Sequence, residues 1–231
     1  MGRFLEGILD WSEVWATLIP LIVYMWIKPK AIWTRSLLIY LLIALLISLV
    51  VDITWKSTDL GIKDWVEKNF WWLYRGKILY TLIFYNINSF LRLLLLTWFF
   101  YKVNPLYKKT YLVITGVFLI GVIINFVFFE SIVLSFSSRL FTIEAAIILF
   151  YCLLYYYTVN MNDEIKSPLA LPPFWIVMGL TLYTSVNFLI FLFYNYLINA
   201  ERTYAISIWN VHNLIYIVLM IFIAIGFKKA K

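Results

Sequence analysis

The chain is predicted to be an all-α, polytopic integral membrane protein: seven transmembrane helices in a single bundle, N-terminus outside and C-terminus cytoplasmic. Three observations predict this. Of the 231 residues, 64% are hydrophobic and only 13% are charged, and the mean hydropathy is +0.89. A soluble domain of this size could not hide so much apolar surface, so lipid must act as the solvent. Apolar runs recur at a length that spans a bilayer, and most of the charge sits in the short loops between them.

Seven runs of 17–24 residues cover positions 11–27, 36–54, 78–101, 111–129, 140–159, 174–196 and 208–227. Each suits a hydrocarbon core of roughly 30 Å. The first is the shortest, carries Glu13 and contains Pro20, which should kink it. The second is apolar until Asp52. The 55–77 loop mixes charge with Trp65, Phe70, Trp71 and Trp72, the pattern of an extracytoplasmic amphipathic helix lying on the membrane. Span three holds Asn86, Ser89 and Arg92; span four holds Asn125; span five holds Glu144, Cys152 and Tyr155. Pro172-Pro173 opens span six, with Tyr183, Thr184 and Asn187, and span seven carries Trp209, His212, Asn213 and Tyr216. Aromatics make up 20% of the chain and gather at span ends, as interfacial belts do. No internal repeat or polar domain interrupts the pattern, so the whole chain reads as one membrane domain.

Direction follows from the basic loops. Ten lysines and arginines, from Lys28 to Lys231, fall on the side that holds the C-terminus, including Lys102, Lys108 and Lys109. Eight fall on the other side, five of them in the long loop beside Asp59, Asp64 and Glu67. The short loops place the C-terminus in the cytoplasm. The net charge of +7 thus reflects topology and lipid headgroups, and no nucleic-acid partner is expected. The first residues include Glu6, Asp10 and Glu13, so no cleavable signal peptide is read there.

Ionisable groups inside spans cost roughly 2.5–3.5 kcal/mol at the bilayer centre, so they usually face a bundle interior and serve a purpose. Helical rise places Glu144, His212, Asn213 and Asn125 about 6–8 Å below the outer surface, with Asn86 and Asn187 at roughly 12–14 Å. Trp209, His212, Asn213 and Tyr216 share one helical face. These residues predict an outward-facing polar pocket for a small or lipid-like ligand, rimmed by aromatics such as Trp209 and Tyr183. The competing reading is hydrogen bonding between helices, at about 0.6–2 kcal/mol each. Arg92 falls about 14 Å deeper than Glu144, too far for contact. It is expected either to snorkel toward cytoplasmic headgroups or to form an inner latch with Tyr155.

The inventory excludes several classes. Every lysine lies in a loop or at a terminus, so no retinal Schiff base can form. One histidine and one cysteine, Cys152, cannot supply multi-histidine zinc or bis-histidine haem sites. No triad spacing, glycine-rich phosphate loop or paired carboxylates appear. Neither a catalytic residue, a metal nor a cofactor is assigned, and enzyme activity has little support.

The most distinctive wording lies in Arg139-Leu140-Phe141-Thr142-Ile143-Glu144, Pro172-Pro173-Phe174-Trp175-Ile176, Asn187-Phe188-Leu189-Ile190-Phe191 and Trp209-Asn210-Val211-His212-Asn213. In these segments the chain resembles uncharacterised small seven-helix membrane proteins of Bacteroidota, often encoded beside sensor histidine kinases. That resemblance implies a bacterial cytoplasmic (inner) membrane, a signalling role and a membrane partner such as a histidine kinase. It also implies that Glu144, Asn187, His212 and Asn213 match positions that tend to be polar. The expectation is a non-enzymatic sensor or accessory subunit. The alternatives are a small-molecule transporter and a purely structural subunit of a membrane complex.

Overall fold

Long apolar runs satisfy their backbone groups only by closing intrahelical hydrogen bonds, and the computed structural model of the chain is accordingly helical. It describes residues 7–71, 74–75, 78–79, 81–134, 136–200 and 202–231. We number the helices α1 (Ser12–Ile27), α2 (Trp33–Trp55), α3 (Lys63–Asn69), α4 (Leu82–Val103), α5 (Lys108–Phe128), α6 (Ser138–Asn160), α7 (Pro172–Ala200) and α8 (Arg202–Lys229). Six of these, α2 and α4 to α8, are long and apolar enough to cross a membrane. The protein is a multi-pass, all-α membrane bundle.

Helix α1 has 16 residues, a length of about 24 Å against a core of roughly 30 Å. It runs on through Pro20, whose missing N–H leaves the carbonyl of Ala16 without its intrahelical donor. It stops at Lys28, whose backbone turns left-handed (φ 51°) and donates to Tyr24 O, just before Pro29. Within the 55–77 loop, α3 supplies a seven-residue α-helix, with Val66 buried and Trp65 exposed. A two-residue antiparallel pairing, Tyr74 with Leu79 and Arg75 with Ile78, precedes α4. Trp72 lies outside the described residues.

Neighbouring helices define the architecture. Helix α1 packs on α2, α2 on α4, α4 on α6, α6 on α7, α7 on α8, and α8 returns to α1. The result is a closed ring, with α5 outside it against α4 and, more lightly, α6. Helices α7 and α8 meet most closely, because Gly179 faces Phe222 and Gly226 faces Ile176 with no room for a Cβ. Helix α5 buries only Tyr111, Thr115 and Phe118 and presents Val113, Val117, Ile120 and Val127 outward. It is held by hydroxyls: Thr115 Oγ1 lies 2.7 Å from Thr97 Oγ1 and 2.9 Å from Tyr151 Oη, and Tyr151 donates to Tyr111 O at 3.0 Å.

The helices alternate in direction, so the ring has two ends. One, the basic end, holds Lys28, Lys102, Lys166 and Lys229. Above it sits the apolar core, where Phe99, Phe100, Tyr111 and Tyr151 interlock at centroid distances of 4.7–5.7 Å. The other, the lid end, has its own aromatic cluster built on Phe141, Ile190 and Phe191. Polar side chains occupy the level between the two clusters.

Candidate functional site in the ring interior

Arg92 and Glu144 pair directly, contrary to the sequence expectation. The guanidinium donates from Nε to Oε1 and from Nη2 to Oε2, both at 2.6 Å. Ser89, one turn before Arg92, donates its hydroxyl to Oε2. Arg92 Nη1 donates to Tyr183 Oη at 3.0 Å, and Glu144 is fully buried. This two-pronged geometry is the strongest form of Arg–carboxylate contact. Tyr155, expected as the latch partner, instead packs beside Tyr156 at a centroid distance of 6.2 Å.

The correction has a geometric cause. Helix α4 begins at Leu82 rather than 78, and α6 at Ser138 rather than 140. Arg92 is ten residues into α4 and Glu144 six into α6, so their axial offset is about 6 Å. Helical side chains also lean toward their own N-terminus. For Arg92 that direction is the lid end, so the long stem climbs to Glu144 instead of snorkelling to the basic end.

A second polar centre lies nearer the lid. Glu13 on α1 accepts from Ser48 Oγ of α2 at 3.1 Å, and its Oε1 stands 3.6 Å from His212 Nε2 of α8. Asn187 of α7 donates its amide to Tyr183 O at 2.9 Å, which turns Oδ1 toward His212 Nδ1 at 2.5 Å. That orientation assigns the Nδ1 proton and leaves Nε2 facing Glu13. Trp209 stacks on the imidazole at 4.9 Å, and the rings of Tyr183 and Phe191 flank it at 5.8 and 5.7 Å. Thr17 and Tyr216 bond at 2.7 Å, closing the wall between α1 and α8.

The two centres line one cavity, to which all six ring helices contribute: Glu13, Ser48, Arg92, Phe141, Tyr183 and His212 are one residue from each. Its free space is small, with about 30 Å³ open to the centres of water molecules. Glu13 keeps 21% of its side-chain surface accessible, whereas His212 keeps 6%. Phe136, from the connection before α6, closes the lid end. It stacks on Phe141 at 4.6 Å and meets Trp209 at 6.2 Å.

The remaining predicted residues serve this lid rather than the cavity. Asn86 donates to Ile132 O at 2.9 Å and accepts from the Ser137 backbone at 3.3 Å, pinning the 129–137 connection. Asn125 donates to Glu130 at 3.0 Å and to Ser137 Oγ at 3.3 Å, beside an apolar groove between α5 and α6. Asn213 ties α8 to Leu9 O at 3.1 Å. Of the eight pocket residues expected, Glu144, His212, Asn187, Trp209 and Tyr183 therefore converge around the cavity, while Asn86, Asn125 and Asn213 do not.

Glu13, Ser48 and Tyr40, the last on α2 and also lining the cavity, are site residues that the sequence reading did not assign. Glu13 carried a usable signal, since it is a carboxylate inside an apolar run and bears the same insertion cost that singled out Glu144. Among the described residues, no group of three or more His, Cys, Asp or Glu side chains is placed to hold a metal ion. Comparison of the chain with protein-family models, with curated proteins and with solved structures gave no match.

Proposed function

We propose that the protein is a non-enzymatic membrane sensor or accessory signalling subunit, and that the ring cavity is its ligand-responsive element. The observation that carries this reading is convergence: one small polar cavity takes a side chain from every ring helix. A ligand that fits it differently in two packings of the ring would shift the balance between them. The aromatic plug of Phe136 and Trp209 separates the cavity from the lid end, and Arg92, held by Glu144, contributes to its wall.

In this reading α1 is a seventh span, the lid end faces outward and the C-terminus is cytoplasmic. The short basic loops support that direction. The host is the cytoplasmic membrane of a bacterium. Lys102, Lys108 and Lys109 form the contact for a membrane partner, such as a histidine kinase, or for anionic lipid.

The test is extraction from native membranes in mild detergent, followed by mass spectrometry of the intact particle. A sensor or accessory subunit is expected to carry a membrane-protein partner, and Trp209→Ala is expected to change recovery of that partner. Isolation as a bare chain, together with flux of small metabolites into liposomes that Glu144→Gln abolishes, would make the protein a carrier instead.

A further inference from the structure

We infer that the ring cavity selects a small, donor-rich monocation of ammonium or guanidinium type. This rests on the reading of the cavity as a ligand site and adds the chemical class of ligand. The first reason is charge. Arg92 is neutralised by Glu144 through two hydrogen bonds, which leaves Glu13 as the one carboxylate among the described lining residues, facing an imidazole rather than a permanent cation. Glu13 is also the more accessible partner of the Glu13–His212 pair.

The second reason is unmet hydrogen-bonding capacity. Asn88 lines the cavity, and its buried Oδ1 has no partner. A buried acceptor without a donor costs about 1–3 kcal/mol, so a ligand with N–H groups relieves it. The third reason is the wall. Tyr85, Phe136, Tyr183, Phe191 and Trp209 line the same cavity as Glu13 with ring surface. Cations are attracted to such surfaces, and desolvation strengthens the attraction.

Size narrows the class further. About 30 Å³ for water centres corresponds to room for roughly two water molecules. That admits ammonium, methylammonium or guanidinium and excludes an amino acid or a nucleoside in this packing. A hard cation such as Mg²⁺ or Ca²⁺ takes six or more oxygens with carboxylates among them, and among the described residues Glu13 is the one carboxylate that lines the cavity.

The experiment is titration calorimetry and thermal melting of the full chain in lipid nanodiscs at constant ionic strength. The probes are the chlorides of ammonium, methylammonium and guanidinium, with sodium chloride, urea and sodium acetate as comparisons. Saturable binding of at least one of the three cations is expected, with urea and sodium inert. Glu13→Gln should weaken it at least tenfold and Asn88→Leu several-fold. Should Glu13→Gln fail to fold, Glu13→Asp and Asn88→Leu carry the test, each expected to weaken binding without abolishing folding. Cation binding unchanged in these variants, or matched by sodium, overturns the inference. Saturable binding of urea or acetate alone, lost when Ala44→Leu fills the cavity, overturns the charge assignment yet keeps the cavity as a ligand site. No response to any probe, with Ala44→Leu indistinguishable from the parent, overturns both.

Discussion

Neutralising Glu144 should strongly destabilise the protein. Glu144→Gln removes the anion that accepts two guanidinium N–H bonds at 2.6 Å, yet it leaves Arg92 only 7% exposed. The charge would then face neutral acceptors, the Gln amide oxygen and Tyr183 Oη, with no anion beside it. Breaking a buried pair from one side costs about 3–5 kcal/mol, whereas an exposed pair is worth under about 1 kcal/mol. For a chain of this length that difference corresponds to a melting point lower by about 6–20 °C. Arg92→Gln should behave similarly, because it strands the carboxylate. The double variant Arg92→Met with Glu144→Leu removes both charges together, and it should melt above either single variant. The assay is thermal melting of purified protein in detergent, followed by tryptophan fluorescence and circular dichroism. A Glu144→Gln protein melting within about 2 °C of the parent, or a double variant less stable than both singles, would refute a dry, mutually satisfied pair.

Glycine positions offer a contrast in packing. Ala at Gly179 would put its Cβ 2.5 Å from Phe222 Cβ, and at Gly226 it would collide with Ile176, so each should cost about 1–3 kcal/mol in melting experiments. Gly116→Ala and Gly121→Ala meet open space on α5 and should be neutral or stabilising by about 0.5–1 kcal/mol. Asn86→Ala removes the bonds to Ile132 O and the Ser137 backbone, and limited proteolysis before α6 should accelerate several-fold while the bundle stays helical. Tyr151→Phe loses the hydroxyl that joins Thr115 to Tyr111 O, so hydrogen exchange in α5 should rise more than in α7 or α8.

Much of the architecture was legible because the relevant signal is local. An apolar run long enough to span a bilayer must close its own hydrogen bonds, so 36–54, 111–129 and 208–227 read as helices without knowledge of any neighbour. The first run shows the limit. Its composition reads as a span, while α1 is 16 residues long against 22 to 29 for the other ring helices. Polar side chains within spans were equally visible, since the insertion cost marks Arg92, Glu144 and His212 wherever they point.

Pairing was not legible in the same way. Helix α4 begins four residues later and α6 two residues earlier than the apolar runs, which together shift relative depth by about 9 Å. That shift is the difference between separation and contact for Arg92 and Glu144. Asn125 and Asn86 carry the same polarity as Asn187, yet they hold a connection while Asn187 orients His212. Side-chain type does not distinguish those roles; the neighbour does.

Composition and run length are enough to specify a helical membrane protein with buried polar groups, because burial in lipid acts on each segment separately. Which of those groups meet depends on how the helices pack. The ring brings α1 against α8 across 199 residues of chain, as in the Thr17–Tyr216 bond. No spacing within a single helix encodes that contact. It is set by how the six helices fill space around one another, and that packing joins Arg92 to Glu144 and Glu13 to His212.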